Sequence, residues 1–562
     1  MPSAIWLALL LSTAAVYAYA EDPLQAALGE LQPSSLSASE QRAELAWFVE
    51  ASKPFQGVQV RVIAERIHTH WYEANVLAPL FSQLTGIRVI HEISGEDDVV
   101  NKLRTQQETG LALYDAYVSD SDLLGQHFRD NQVLVLSDFM AGEGASVTLP
   151  TLDLADFIGL PFVTAPDGKL YQLPDQQFAN LYWYRQDWFA RPELRKAFRE
   201  RYGYELDVPQ NWSAYEDIAA FFSEQVKEID GQRVYGHMDY GGFDPSLGWR
   251  LSDAWLGMAG VGDSGLPNGL PVDDWGIRVE DCRPVGASMA RGGALDSPAA
   301  VYALQQYIDW LQRYAPADAQ QMSFNQAGNV AAQGHIAQQI FWYTAFTADY
   351  TQADSVMVDA EGKPKWRVAP SPRGAYWREG MKSGYQDVGA WTLLKATPLR
   401  QRQAAWLYAQ FVVSKTVSLR KTLVGLTPIR RSDIESPALL AAAPRLGGLI
   451  EFYRSPAAQR WTPTGANVPD YSGMASQWWR HLHPAVSGQL SAAQALQNLA
   501  AAFDRHLQQV GQRQRHACAP RLNAPREPIY WLQQAGAPWP ALTDERPAGR
   551  TLPYEEALRA WD

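Results

Sequence analysis

Cysteine is nearly absent: Cys282 and Cys518 are the only two in 562 residues. No histidine cluster flanks either one, which excludes a thiolate zinc site. Two readings stand for the pair. In an oxidising compartment they join and tie the C-terminal tail to the middle of the chain; otherwise they are two buried thiols. Basic charge is also short. Lys and Arg number 48 against 61 Asp and Glu, a formal charge of −13, which disfavours nucleic acid and anionic membrane as partners because both select basic surfaces. No stretch after residue 20 is apolar enough to cross a bilayer. Catalytic signatures are missing as well: there is no Gly-x-Ser-x-Gly elbow, no His-Glu-x-x-His pair and no P-loop. No motif fixes two carboxylates at the spacing of roughly 5–10 Å that glycoside hydrolysis needs. Internal repeats are absent.

What is present is globular. Apolar residues make up 46 % and charged residues 19 %, a composition that buries sizeable cores. The length suits two to four domains at roughly 100–200 residues each. The first twenty residues stand apart. Met1 to Ala20 carry no Asp, Glu, Lys or Arg, and an apolar stretch through Ile5, Leu7, Leu9, Leu10 and Leu11 leads to Ala18-Tyr19-Ala20 before Glu21-Asp22. This reads as a signal peptide cleaved after Ala20, although the basic residue that normally opens one is missing. As a membrane anchor the stretch is short of the about 20 residues a span requires. The expected location is the periplasm.

Ser37 and Ser39 are candidate caps for a helix through Leu45, Phe48 and Val49. Val58–Ile63 alternates as a strand, a helical stretch carries Val76, Leu77, Leu80 and Phe81, and Ile87–Ile90 is the next strand. That alternation signals a βαβ unit. A third strand runs from Tyr114 to Val118. From about 171 to 349 the helical stretches are longer and rich in Trp and Tyr. Strand signals return at Trp366–Ala369 and Trp391–Leu394, an apolar helix covers Gln403–Val413, and the last periodic helix is Ala492–Val510. Beyond Gly511 the chain turns Pro-rich and reads as an extended tail over the surface.

Several segments then share an order. Asp167-Gly168-Lys169-Leu170-Tyr171-Gln172-Leu173-Pro174 precedes Leu181-Tyr182-Trp183-Tyr184-Arg185-Gln186-Asp187. Val208-Pro209-Gln210-Asn211-Trp212, Gly334-His335-Ile336-Ala337, Gly425-Leu426-Thr427-Pro428-Ile429-Arg430 and Ser487-Gly488 through Leu496 follow. In this order they resemble family 1 of the bacterial extracellular solute-binding proteins, the group that includes maltose-binding protein. Arg185 departs from the Asn usual at that place. Tyr235–Tyr240, Asp244–Arg250, Trp461–Gly465 and Cys282–Gly286 further resemble the glycerol-uptake branch of that family.

The resemblance implies an α/β, two-lobed binding-protein fold of the maltose-binding-protein type with ligand in the cleft between the lobes. Lobe one is expected over 21–170 with 366–421, lobe two over 171–365 with 422–511, and the tail over 512–562. It implies a monomer that captures glycerol or a similar small neutral polyol, uses no cofactor, and delivers its ligand to the permease of an ABC importer. A mono- or disaccharide binder, a secreted glycoside hydrolase and a structural secreted protein remain as alternatives. A polyol needs aromatic faces for its C–H surface and acceptors for its hydroxyls, and carboxylates supply the strongest of these. Candidate acceptors are Asp120 and Asp122 after the third strand, and Glu96, with Asp97 beside it, after the second. Their alternative role is helix capping. Thr69 and His70 follow the first strand; a His68-x-His70 metal pair lacks a third ligand. Trp249, Trp342, Tyr343 and Trp391 align with cleft-facing segments of the family, though most Trp residues pack in cores. Gln176, Gln177 and Phe178 lie at the lobe crossing, and Tyr385 and Asp387 precede the Trp391 strand.

Overall fold

A computed structural model of the chain describes residues 23–262, 275–379, 381, 386–460, 465–534 and 540–562, without the side chains of 249, 253, 342–345, 386, 459 and 460. The expected signal peptide, 1–20, lies outside the described residues. Ser37 accepts a hydrogen bond from the Glu40 amide, and the Glu40 side chain returns the contact to the Ser37 amide. That reciprocal cap starts α1 (Ala38–Ser52).

Lobe one is built on parallel pairing. β1 (Gln59–Glu65) leads through α2 (His68–Tyr72) to β2 (Arg88–Ser94), and α3 (Glu96–Thr109) leads to β3 (Ala116–Asp120), followed by α4 (Leu124–Asp130). β1 pairs parallel with β2 from Gln59↔Arg88 to Glu65↔Ser94, and parallel with β3. Parallel neighbours need a crossover, which the helices supply. All three strands therefore end at one edge.

β4 (Leu173–Tyr184) is buried along all 12 residues, as a strand covered on both faces must be. Three strands join it: β5 (Gln338–Trp342), β6 (Arg367–Ala369) and β7 (Gln386–Thr392). The first half of β4, to Ala179, pairs antiparallel with β7, while Asn180–Tyr184 pairs with β5 and Tyr182–Tyr184 also with β6. The sheet order is β5-β4-β7-β3-β1-β2, with β6 also on β4. A single strand thus runs out of lobe one into lobe two. β6 sits on the lobe-two half of β4 and β7 on the lobe-one half, so the chain passes from one half of the sheet to the other between Ala369 and Gln386.

The lobe-one core gathers Val60, Val62, Ala64, Leu173 and Trp391 around α5 (Leu399–Val413), which is buried on every side from Ala404 onward. It is followed by α6 (Lys415–Gly425). Lobe two packs around touching rings of Trp212, Tyr215, Trp255 and Trp310. It is closed by α7 (Tyr471–Val486) and α8 (Ala492–Arg513), whose Leu496, Leu499, Phe503, Leu507 and Val510 share one face. The tail is not loose. Cys518 is bonded to Cys282, the Trp531 indole donates to the Ala290 carbonyl at 2.9 Å, Thr551–Leu552 pairs with Val208–Pro209, and Trp561 packs on Phe452. Among the described residues no helix is long and apolar enough to cross a membrane.

Candidate functional site

The carboxyl ends of parallel strands are where α/β sheets bind ligands. Here that edge faces lobe two, and it collects carboxyl groups. Glu65 ends β1, Glu96 opens α3 directly after β2, and Asp120 ends β3. Asp387 lies at the start of the antiparallel β7 and so at the same edge. The carboxyls of Glu96 and Asp387 lie beside that of Asp120, close enough to share protons with it. Burial and then the Glu65 charge raise Asp120 to about 7. Burial and then the Asp120 charge hold both Glu96 and Asp387 well above the usual carboxylate range. The Ser121 hydroxyl and amide donate to Asp387 Oδ1 at 2.5 and 3.2 Å and fix its orientation. Asp122, buried in the turn that follows, adds its charge to Asp120.

Gln176 completes the cluster by donating from Nε2 to Glu65 Oε1 at 3.0 Å. Its side chain lies across Gly389, where a Cβ would stand 2.5 Å from Nε2 and 2.6 Å from Cγ. Gly389→Ala is therefore expected to push Gln176 off Glu65 and weaken ligand binding by about 1–2 kcal/mol. Calorimetric titration reads the loss, and an unchanged circular dichroism spectrum checks the fold. Phe178 pairs directly with Asp387 and shares its face. Gln177, read as a contact from sequence, points the other way: a Cβ on Gly159 would stand 3.4 Å from its Oε1, as alternation along a strand dictates.

Thr69 and His70 sit behind the carboxyl edge. Thr69 Oγ1 meets Thr427 Oγ1 at 3.2 Å, fastening α2 to the segment that follows α6. His70 is fully buried and its Nδ1 donates to the Glu65 carbonyl at 2.9 Å, with Nε2 at 3.5 Å from Asp175 Oδ2. Asp175 is the extra residue of a β-bulge, since Gly389 pairs with Gln176 and Ala390 with Pro174. The bulge turns its carboxylate inward, where it accepts from Lys421 Nζ at 2.6 Å. Lys421 also donates to Glu73 Oε1 at 2.9 Å. His70, Glu73 and Asp175 offer ligand atoms within 4.8 Å of one another, but the Lys421 ammonium already supplies the cation between the two acids. Trp391, another sequence candidate, belongs to this layer: it is a core residue of lobe one whose indole donates to Asp175 Oδ1 at 2.8 Å. It lies too deep along β7 to reach the edge where Asp387 stands. The side chains of Trp249, Trp342 and Tyr343, and all of Tyr385, lie outside the described residues.

The two lobes touch. His68 Nε2 lies 3.1 Å from Asp349 Oδ1. A Cβ on Gly125 of α4 would stand 2.2 Å from the Gly465 carbonyl, so only glycine permits that approach. Between α3 and α7 lies a cavity of about 370 Å³, with Glu96, Asp97 and Val100 on one wall and Tyr471, Ala475 and Trp479 on the other. Burial, with the Asp244 charge of lobe two, raises Asp97 to about 6. Sequence reasoning missed Glu65, because the alternating run was read to stop at Ile63, and gave Gln176 no preference over Gln177.

A sequence model described as bacterial extracellular solute-binding protein matches residues 69–417. A mannitol-binding protein of Pseudomonas aeruginosa is 25 % identical over 346 residues, 58 % of this chain and 67 % of that protein. An ABC-transporter solute-binding protein of Agrobacterium radiobacter K84, crystallised with ribitol, superposes with a TM-score of 0.62 at 19 % identity over 81 % of this chain and 100 % of that one. Maltose-bound MalE3 of T. maritima gives 0.60 at 19 % identity over 80 % and 100 %. These structures share the two-lobed fold. The match at 69–417 spans more than half of the chain, from α2 to the start of α6, and the chain belongs to the bacterial extracellular solute-binding proteins, a family that binds and does not transform its ligands.

Proposed function

We propose that this chain is the substrate-binding component of an ABC importer that captures a small neutral polyol, glycerol or a close relative, and hands it to the membrane permease. The observation that carries this reading is the edge of Glu65, Glu96, Asp120 and Asp387. Burial raises all four carboxyls above their ordinary range, so the edge can offer hydroxyls both O–H donors and acceptor oxygens. The charges acting on it are its own, those of the neighbouring Asp97 and Asp122, and that of His70. A phosphorylated or carboxylated ligand would call for Arg or Lys at this place. The ligands of the relatives, mannitol and ribitol, agree with a polyol. Glu96 also lines the inter-lobe cavity of about 370 Å³, which falls within the range of ligand-site volumes, about 300–1,000 Å³.

Lobe one takes 21–170 and the segment from β7 to 421, and lobe two takes 171–369 and 422–511. The chain works as a monomer in the periplasm, and N-terminal sequencing of the exported protein is expected to begin at Glu21. Ligand bridging both lobes favours the closed arrangement, which the permease then recognises. The test is calorimetric titration of the mature protein with glycerol, ribitol, D-mannitol and maltose. Binding of one or more polyols, tighter than maltose, is the expected result. Tight maltose binding with no heat from any polyol would replace this reading with a sugar binder, and turnover of maltose would replace it with a hydrolase.

A further inference from the structure

Asn180 occupies the one place on β4 where the strand changes partners. Ala179 is still paired with Gln386 of β7, and Asn180 is paired with Trp342 of β5. It therefore stands on the hinge, in neither lobe alone. Its side chain is 0 % exposed, and among the described residues neither its amide oxygen nor its amide nitrogen has a hydrogen-bond partner. Buried polar groups are nearly always paired. An amide left without partners at this depth shifts the folding equilibrium against the protein by about tenfold relative to an apolar residue of its size. Leucine is of similar volume and would carry no such penalty.

The face on which Asn180 lies is informative. Residues two and four positions earlier on β4 are Phe178 and Gln176, which alternation puts on the same side. Phe178 is opposite Asp387, and Gln176 holds Glu65. Gln176 Oε1 is likewise buried without a partner. One unmatched amide, Asn180, and one half-matched amide, Gln176, thus flank Phe178 on the face of the carboxyl edge. A side-chain amide offers an acceptor oxygen and two donor hydrogens. A pair of neighbouring hydroxyls offers the complement, one O–H to give and one oxygen to receive. An oxyanion, which only accepts, would leave the amide oxygen unmatched.

We propose that Asn180 is a specificity residue of the cleft, binding a vicinal hydroxyl pair of the ligand from the hinge strand with both ends of its amide. This rests on the reading of the ligand as a polyol or sugar. Because β4 is shared by the lobes, the contact exists before closure, and it selects hydroxylated ligands at the first encounter.

The test compares the mature wild-type chain with Asn180→Leu and Asn180→Ser, titrated with glycerol, ribitol and D-mannitol, together with the melting temperature of each unliganded protein. Asn180→Leu is expected to bind the wild-type ligand at least about tenfold more weakly while its unliganded melting temperature stays the same or rises. A purely structural amide would move the melting temperature down. Unchanged affinity in Asn180→Leu, or a lower melting temperature without ligand, overturns the inference. Asn180→Ser keeps one hydroxyl and is expected to fall between the two in affinity. If the leucine variant does not fold, the serine variant carries the test: weaker binding at an unchanged melting temperature supports the inference, and unchanged affinity overturns it. If the wild type itself binds no polyol or sugar, the proposed function is what fails. Asn180 is then judged on melting alone, a rise in Asn180→Leu supporting an amide kept for a ligand and a fall overturning it.

Discussion

Replacing Lys421 with methionine is expected to lower the unfolding free energy by about 3–5 kcal/mol at pH 8, the usual cost of stripping one partner from a buried ion pair. Lys421 Nζ reaches Glu73 Oε1, Asp175 Oδ1 and the Asp175 carbonyl at 2.9, 2.6 and 2.9 Å, all inside the protein. Methionine fills the space of the stem and leaves two buried acids facing one cation, His70. Burial and the Asp175 charge already raise Glu73 to about 7, so in the variant it takes up a proton first. The penalty should therefore shrink as pH falls below 7, and Lys421→Met combined with Glu73→Gln should recover most of it. The wild type has its own pH dependence. Burial alone would lower His70, but its bond to Asp175 and the Glu73 charge hold it at about 9. Its contribution is whole below its ordinary value of about 6.5 and is lost as pH rises through 9. The raised Glu73 loses its contribution as pH rises through 7. Glu73 loses its contribution between about 4.5 and 7 and His70 between about 6.5 and 9, so wild-type stability is expected to decline from pH 5.5 to pH 9. Urea unfolding at pH 5.5, 7 and 9 of wild type, single and double variants checks each step. A Lys421→Met protein as stable as wild type at pH 8 would show that the ammonium does not balance the acids.

The fold was legible where local chemistry and pattern agree. Ser37 caps the first long helix as its spacing with Glu40 indicates, and the apolar positions of Ala492–Val510 lie on one face of α8. Three of the carboxyl candidates, Glu96, Asp120 and Asp387, do meet, because each follows or precedes a strand at the same sheet edge. What could not be read depends on registers that only pairing sets. The bulge at Asp175 decides which residues of β4 look toward β1, and with it the choice of Gln176 over Gln177. Nothing near Lys421 distinguishes it from Lys415 or Arg420 on the same helix. Its burial follows from Asp175 and Glu73, which lie 246 and 348 residues away. Trp391 illustrates the converse: a tryptophan on the right strand, but four residues past the ligand edge and therefore in the core.

Converting Cys282 and Cys518 together to alanine is expected to cost about 2–5 kcal/mol. The bridge closes a loop of 236 residues, long enough to put the chain-entropy effect near the top of that range. Its position adds a second effect. The Cys282 and Cys518 carbonyls accept from the Arg129 guanidinium at 3.0 and 3.1 Å, and the same side chain reaches the Gly125 and Ala466 carbonyls at 2.6 and 3.1 Å. Arg129 belongs to α4 of lobe one and is 4 % exposed, so two acceptors of a buried cation are held in place by the bridge, at a point where the lobes touch. The far tail should stay docked, because Thr551–Leu552 remains paired with Val208–Pro209 and Trp561 with Phe452. The near tail loses its anchor. Trypsin should therefore cut the variant first after Arg513, Arg515, Arg521 or Arg526, in the segment whose Arg521 and Asn523 amides bond to Pro284 and Val285 of the hairpin of Arg278–Glu280 and Arg283–Gly286. Guanidinium unfolding and timed proteolysis followed by mass spectrometry separate the two effects. A variant with wild-type stability and no early cut in 513–526 would show that the tail is held by its other contacts alone. Lower stability without the early cut would assign the bridge to Arg129 and the lobe contact instead of the tail.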